Sequence, residues 1–286
     1  MKLSFTFEPQ FSNWSVQQIF NRYYKWFVDY HREIDCTHID TARLDKSNPS
    51  GVHSPHLMTI RNLDNQKYIL VSYWDKAVEL TWNGNGWDYE NCVDIITSSG
   101  VSKEVTNFTP SSYSTYSLDF EKDSEKYRIP FNEKKNSELT FRGFLYGMRY
   151  ELNKLNPKLI TNKKIPSYDY VKELNENRIN LSLNGAGEIC NRDIEILSVG
   201  SVLFRPKLEQ KFHNPLIPNE HYITFDVDNN PTKQWEIIQN KFDEIRNNFD
   251  YIKGIAENGL EWYKNNGTIQ SNVDILKEVI NINKLK

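Results

Sequence analysis

The sequence predicts an α/β protein made of two wound-sheet halves, and three observations carry that prediction. The second half alternates short apolar runs with helical patterns in a βαβαβαβ series, the signature of a parallel sheet wound by right-handed crossovers. The first half contains two continuous apolar runs, YILVSYW (68–74) and CVDIIT (92–97), of the kind that forms buried parallel strands. Between the halves, EKDSEKYRIPFNEKKNS (121–137) is charged, proline-containing and nearly free of aliphatic residues, which reads as a linker. A chain of 286 residues accommodates two modest domains, divided here as 1–133 and 134–286.

Each element follows from local pattern. KLSFTFEP alternates as a strand does, and Ser15 with Gln18 forms a capping-box signal ahead of Val16, Ile19, Phe20, Tyr23, Phe27 and Tyr30 at helical spacing. After the linker come a strand ELTF (138–141), the loop RGFLYG, a helix from Met148 to Leu155, a strand KLIT and a helix around Tyr168 to Leu174. A strand RINLSL, the loop NGAGE, a helix from Ile189 to Leu197 and a strand SVLF complete the series. From Pro231 the pattern turns wholly helical, through Trp235, Ile238, Phe242 and Ile245, then Ile255, Leu260, Trp262 and Tyr263. These last helices close the second half and are expected to reach back toward the first.

Composition narrows the function classes. Hydrophobic residues at 38% and aromatics at 13% describe a folded chain, and a formal charge of -3 excludes a protein held to nucleic acid by a global basic surplus. Cys36, Cys92 and Cys190 are too scattered for a disulfide framework or a zinc site and read as buried reduced thiols. No stretch approaches the ~20 apolar residues of a membrane helix. The expected setting is cytoplasmic.

The most informative segment is Asn184-Gly-Ala-Gly-Glu-Ile-Cys-Asn-Arg-Asp-Ile-Glu195. Glycines at the carboxyl end of a strand let backbone approach a ligand, and a following helix presents free N–H groups to an anion. Asn184, Gly185, Gly187 and Glu188 form the loop; Arg192 lies about one turn into the helix, and Glu195 shares its face. Together they describe a nucleotide diphosphate cradle, with a tight β-α turn bearing a surface Arg/Glu pair as the alternative. A phosphate loop of the Gly-Lys-Ser/Thr type is missing, and Asn191 interrupts the dinucleotide pattern. Arg142 and Gly143 leave the first strand of this half on a second loop, where neighbouring strand ends converge on one crevice. Arg142 and Arg192 are therefore the expected diphosphate clamp, and Arg149 is a further candidate. Asp226-Val-Asp228 is an acidic pair of metal-binding type, but beside Asn229, Asn230 and Pro231 it reads as a turn before a helix, so no metal is assigned.

In order and spacing, FRGFLYGMRYELNKL, NGAGEICNRDIEILSVGSVLFRP, NPLIPNEHY and ENGLEWYKNNGT resemble the carboxyl half of GT-B-type glycosyltransferases of the capsule-associated and protein O-glucosyltransferase family, over roughly residues 138 to 270. The resemblance implies two Rossmann-like domains facing across a cleft (GT-B-like), with the amino domain reduced. It implies a UDP-sugar donor bound by Arg142, Gly143, Gly185, Gly187, Arg192 and Glu195, with His221 near the same cleft or purely structural, and no cofactor beyond that co-substrate. The amino half resembles the family only through PHLMTIRN and the strand ending in SYWD. There the base for an inverting, metal-independent transfer is expected: Asp75 first, then His53 and His56, with Asp35 and Asp40 weaker.

A surface glycan or a protein is the expected acceptor. One alternative is a hydroxymethylated base in duplex DNA, as in phage base-modifying glycosyltransferases, with Arg32, Arg43, Lys46, Lys134 and Lys135 touching phosphates. Another is a sugar-binding module without turnover, using Trp74, Trp82 and Trp87 as a stacking platform.

Overall fold

The computed structural model describes residues 3–7, 38–40, 56–72, 91–97, 108–110, 118–135, 139–185 and 188–286. The helix read over residues 16–30 lies outside them, as do His53, Asp75, Gly187, Asp35, Arg32, Arg43, Lys46 and the three tryptophans of the stacking platform. In the amino half, β1 (Leu3–Phe7), β2 (His38–Asp40), β3 (His56–Asn62), β4 (Tyr68–Ser72), β5 (Cys92–Thr97) and β6 (Phe108–Pro110) form one sheet in the order β2-β1-β3-β4-β5-β6. Neighbours pair in parallel except at β3, which runs antiparallel to both β1 and β4. The sheet is therefore mixed, and the cause is chain length. A parallel crossover needs a dozen or more residues, whereas Leu63–Lys67 closes a hairpin through Asn62 N–H to the Lys67 carbonyl (2.9 Å) and Gln66 at φ 63°. Ile60, Ile69, Val71 and Ile96 are buried along its centre.

The carboxyl half begins with α1 (Leu118–Tyr127) and a 3-10 turn (Phe131–Glu133). It continues as β7 (Phe141–Arg142), α2 (Met148–Leu155), β8 (Ile160–Thr161), α3 (Ser167–Glu176), β9 (Ile179–Leu181), α4 (Asn191–Ser198), β10 (Val202–Pro206) and β11 (Ile223–Phe225). Three helices follow, α5 (Pro231–Ile245), α6 (Phe249–Trp262) and α7 (Ile269–Val279), then a last turn at Ile282–Leu285. The alternating series is present, with β11 added where Pro218 and Asn219 mask a three-residue strand. Its ladders divide in two: β7 pairs with β8, and β9, β10 and β11 form a separate parallel sheet.

Alternation along the strands sets the layers. On β10, Val202 and Phe204 join Leu181, Ile238, Phe242 and Ile255 in one core, while Leu203 joins Val171, Ile194, Leu197 and Trp262 in the other. Helices α5 and α6 thus cover one face of the sheet, and α3 and α4 the other.

The segment expected to be a linker is folded. Helix α1 packs on α3 and buries Phe120, and Phe131 enters the first core. Two aromatic anchors suffice where the surrounding composition is polar. Lys134 is only 2% exposed, with Nζ donating to Asn175 Oδ1 (2.8 Å) and the Asn175 carbonyl (3.3 Å). It is a buried residue rather than a surface phosphate contact. The last turn reaches the amino sheet: Leu285 is fully buried, its carbonyl accepts from Asn62 Nδ2 and Asn65 Nδ2 (both 2.9 Å), and Lys284 pairs with the buried Asp94. Among the described residues no helix is long and apolar enough to cross a membrane.

Burial, and then repulsion from Arg128, lowers the Lys134 ammonium to about 7. The unfolded chain therefore binds more protons than the folded one between pH 7 and the ordinary lysine value, and stability attributable to this residue rises with pH across that window. Urea titrations at pH 7 and 10 should show the wild type gaining more stability than Lys134→Met; equal gains would place the folded value near that of a free lysine.

Candidate functional site

Strand geometry leaves two open edges facing the β7–β9 gap. Phe141 N–H and Gly143 N–H bond to the Leu159 and Thr161 carbonyls (2.7 and 2.9 Å), which turns the carbonyls of Thr140 and Arg142 away from β8. Ser182 N–H bonds to the Phe204 carbonyl (2.8 Å), so Leu181 and Leu183 aim theirs away from β10. Two buried arginines meet these carbonyls. Arg192 donates from Nε to Leu181 (2.9 Å), from Nη1 to Arg142 (3.1 Å) and from Nη2 to Thr140 (3.5 Å), standing in for a missing strand ladder. Arg149 donates from Nη2 to the Leu183 carbonyl. Both guanidinium groups lie 4.7 Å from the centroid of the Phe141 ring, and Arg149 also lies 4.8 Å from that of Tyr146.

The two arginines differ in what they have left. Arg192 Nη1 also donates to the Tyr170 hydroxyl (3.0 Å), which donates to Glu195 Oε2 (3.0 Å), so its three nitrogens are all engaged. Burial pushes the Glu195 carboxyl up to about 7, with the Tyr170 hydroxyl and Arg192 pulling the other way. Arg149 is 6% exposed, yet its Nε has no hydrogen-bond partner among the described residues. A desolvated guanidinium N–H without an acceptor is costly, and the same guanidinium comes up to the glycine loop through Nη2. A Cβ on Gly185 would sit 3.1 Å from the Tyr146 hydroxyl and 3.5 Å from Arg149 Nη2. Phe144, 67% exposed, and Tyr146 stand on the adjoining loop.

The loop itself is held from beneath by Arg205, which is 1% exposed and pairs with the fully buried Asp193. Arg205 Nη2 donates to Asn184 Oδ1 (3.0 Å) and to the Glu188 carbonyl (2.6 Å), and Nε to the Pro206 carbonyl (2.9 Å). Asp193 Oδ2 also accepts from Cys190 N–H (2.8 Å), which starts α4. The Glu188 carboxylate accepts from Glu209 and Gln210 N–H (3.0 and 2.8 Å) and so fastens the loop to the β10 exit. Sequence reading missed Arg205. The available signal was an arginine ending an otherwise apolar buried strand, which demands a partner.

Of the expected donor residues, Asn184, Gly185, Glu188, Arg149, Arg192 and Glu195 converge on the carboxyl end of β9. Arg142 borders the group, bound through Nε to Glu173 (2.9 and 3.0 Å), through Nη2 to the same carboxylate, and through Nη1 to the Lys163 carbonyl. Gly143 is the close-approach position of that loop: a Cβ there would lie 2.5 Å from the Phe141 ring. His221 is not brought to the glycine loop. It lies two residues before Ile223, which pairs with Phe204, and so at the amino end of β11; its Nδ1 accepts from Ile217 N–H (3.0 Å), and burial lowers its pKa. Asp226 and Asp228 form the turn into α5, tied by Gln234. In the amino sheet, His56 pairs with Ser72 in register, which sets its backbone at the carboxyl end of β4, three residues short of Asp75.

With the geometry established, comparison with solved structures identifies the fold. The glycosyltransferase from Rickettsia africae ESF-5 superimposes with a TM-score of 0.51 at 12% identity, over 96% of this chain and 96% of that one. This chain shares that fold. An alpha-glucosyltransferase in complex with UDP-glucose and DNA containing an abasic site gives a TM-score of 0.44 at 10% identity, over 73% and 70% of the two chains. A complex of an alpha-glucosyltransferase with UDP and a 13-mer DNA containing an HMU base gives 0.43 at 11%, with the same coverage. No family model matches the chain, and no curated protein matches it in sequence.

Two substitutions test this construction. Arg205→Met leaves Asp193 charged and buried without its cation, and chemical denaturation should show a loss of about 3–5 kcal/mol; a loss below about 1 kcal/mol would mean that the pair does not hold the loop. Gly143→Ala displaces the Phe141 ring from both guanidinium groups and should lower the melting temperature by several degrees, a cost of about 1–3 kcal/mol for an overpacked site.

Proposed function

We propose that this chain is a glycosyltransferase that moves a hexosyl or pentosyl group from a UDP-sugar to an acceptor hydroxyl. The observation that carries the reading is the buried Arg149, with an unpartnered Nε beneath a glycine loop at a strand's carboxyl end, in a fold shared with a glycosyltransferase. That is the charge and the geometry a diphosphate requires. In this reading Arg149, the loop from Asn184 to Gly187 and the start of α4 receive the diphosphate. Arg192 and Arg142 shape the crevice from behind, and Glu195 takes a sugar hydroxyl. The donor half takes in α1 and the Phe131 turn, ahead of the expected division at 133/134, and the amino sheet is the acceptor half, which binds a surface glycan or a protein.

Transfer proceeds with inversion and without a metal. A base in the amino half removes the acceptor proton as that oxygen attacks the anomeric carbon, while the Arg149 guanidinium and loop amides stabilise the leaving diphosphate. Asp75 is assigned as this base. Residue 75 follows β4 in sequence, and the β3–β4 register brings the His56 backbone to the end of that strand, which supports drawing the base from this part of the chain, with His53 and His56 as the next candidates. The expected compartment is the cytoplasm.

UDP at a hundredfold excess over its Kd should stabilise the wild type by about 2.7 kcal/mol, seen as a rise of several degrees in melting temperature. Arg149→Gln should abolish that rise and sugar transfer together. Asp75→Asn should keep the rise and lose transfer, with product followed by mass spectrometry over UDP-glucose, UDP-xylose, UDP-arabinose and UDP-N-acetylglucosamine. A wild type that UDP does not stabilise would refute the reading.

A further inference from the structure

A cavity lies at the end of the same sheet opposite the glycine loop. About 400 Å³ in volume, it is bounded by the segment Arg128–Asn132, by Gly200 ahead of β10, and by Lys253, Ala256, Glu257 and Leu260 of α6. The bridge between Lys135 and Asn177, just before β9, fixes this as the amino end of the strands, away from the glycine loop. The volume lies within the ~300–1,000 Å³ range of small-molecule sites. Pro130, Phe131, Ala256 and Leu260 make an apolar floor.

The charges around it are lopsided. Arg128 spends Nε on the Ser198 carbonyl (2.8 Å) and has no hydrogen bond from either Nη among the described residues. Behind Asn132, Arg178 donates Nη2 to the Asn132 carbonyl (3.4 Å), its buried Nε has no hydrogen-bond partner among the described residues, and its guanidinium lies 4.9 Å from the centroid of the Phe249 ring. Lys134 lies beneath the same segment on the neutral Asn175. Among the described residues none of the three has a carboxylate within 4.0 Å, and Arg128 is the one of them that lines the cavity. On the rim, Lys253 is paired with Glu257 at 3.7 Å, with both side chains largely exposed. Burial lowers the Arg128 pKa against the opposing pull of Tyr263 and Glu125, and burial with Arg128 repulsion lowers that of Lys134.

We propose that this cavity is a binding site for a small phosphate ester, its phosphate held by Arg128 with Lys253 and its organic group on the Pro130–Phe131–Leu260 floor. A phosphate dianion can accept from both Nη groups of Arg128 and draw the exposed Lys253 away from Glu257, which a monoanion does less well, and an apolar floor is of no use to a bare inorganic ion. The site is separate from the donor crevice, so its test does not depend on sugar transfer.

Phenyl phosphate is the probe, titrated calorimetrically into the full chain. Binding to the wild type should weaken at least tenfold in Arg128→Gln and severalfold in Lys253→Gln, and stay within twofold in Arg149→Gln. Because Arg128 also holds the Ser198 carbonyl, the exposed Lys253 supplies a second variant that leaves the fold untouched, with melting curves recorded for each. Inorganic phosphate should bind at least tenfold more weakly than phenyl phosphate. No binding by the wild type, equal binding by Arg128→Gln and Lys253→Gln, loss of binding in Arg149→Gln, or equal affinity for inorganic phosphate would each overturn the assignment.

Discussion

The glycine loop keeps its place because a single buried ion pair, Arg205 with Asp193, ties it through Asp193 Oδ2 and the Arg205 nitrogens to its surroundings. A buried pair is not in itself a good source of stability, since desolvating two ions costs about as much as their attraction returns. Its value here is positional. Arg205 projects from the last turn of β10 and reaches three things at once: the first turn of α4 through Asp193, the strand exit through Asn184, and the far side of the loop through the Glu188 carbonyl. Asp193 in turn receives the Cys190 N–H that begins the helix. A loop whose glycines cannot define its shape is thereby pinned at both ends by a side chain from a neighbouring strand.

A related device joins the two parts of the carboxyl half. Strands β7 and β8 are two residues each, too short to extend the main ladder, and the edge carbonyls of β7 and β9 face one another without N–H partners. Arg192 and Arg149 supply the donors. A guanidinium carries five N–H groups in a fixed fork, so one arginine can satisfy carbonyls on both strands, as Arg192 does for Leu181, Arg142 and Thr140. The Phe141 ring gives both groups an apolar, electron-rich face at 4.7 Å, worth about 0.5–2 kcal/mol each when desolvated. The division of labour follows from position: Arg192, from inside α4, meets carbonyls and Tyr170 on every side, whereas Arg149, from the first turn of α2, reaches one carbonyl and stops under the loop.

How much of this the sequence discloses depends on whether the cause is local. The alternating elements from Met148 to Phe204 are legible because each carries its own periodicity, and the glycine loop is legible because only a special backbone position calls for that spacing. Arg142 and Arg192 read as a matched clamp because both sit at strand or helix ends. What separates them from Arg149 is where carbonyls and Glu173 lie in space, which spacing does not encode. The mixed amino sheet was hidden in the length of one connection, Leu63–Lys67. Helix α1 was hidden in composition, because Phe120 and Phe131 anchor a segment whose other residues are solvated.

The placement of carboxylates completes the argument. With 38 acidic and 35 basic residues, the chain has ample negative charge to pair with every buried cation, and in places the match is close: Glu173 embraces Arg142, Asp193 holds Arg205, and the exposed Lys284 meets the buried Asp94. At Arg149, and at Arg128, Lys134 and Arg178, it offers carbonyls, a side-chain amide and the faces of Phe141, Tyr146 and Phe249 in place of a carboxylate. Unpaired buried charge is expensive, and a folded chain tolerates it where the missing partner comes from solution. The near-neutral total therefore conceals the relevant quantity, the difference between cations that the fold has paired with a carboxylate and those it has left to carbonyls, an amide and aromatic rings.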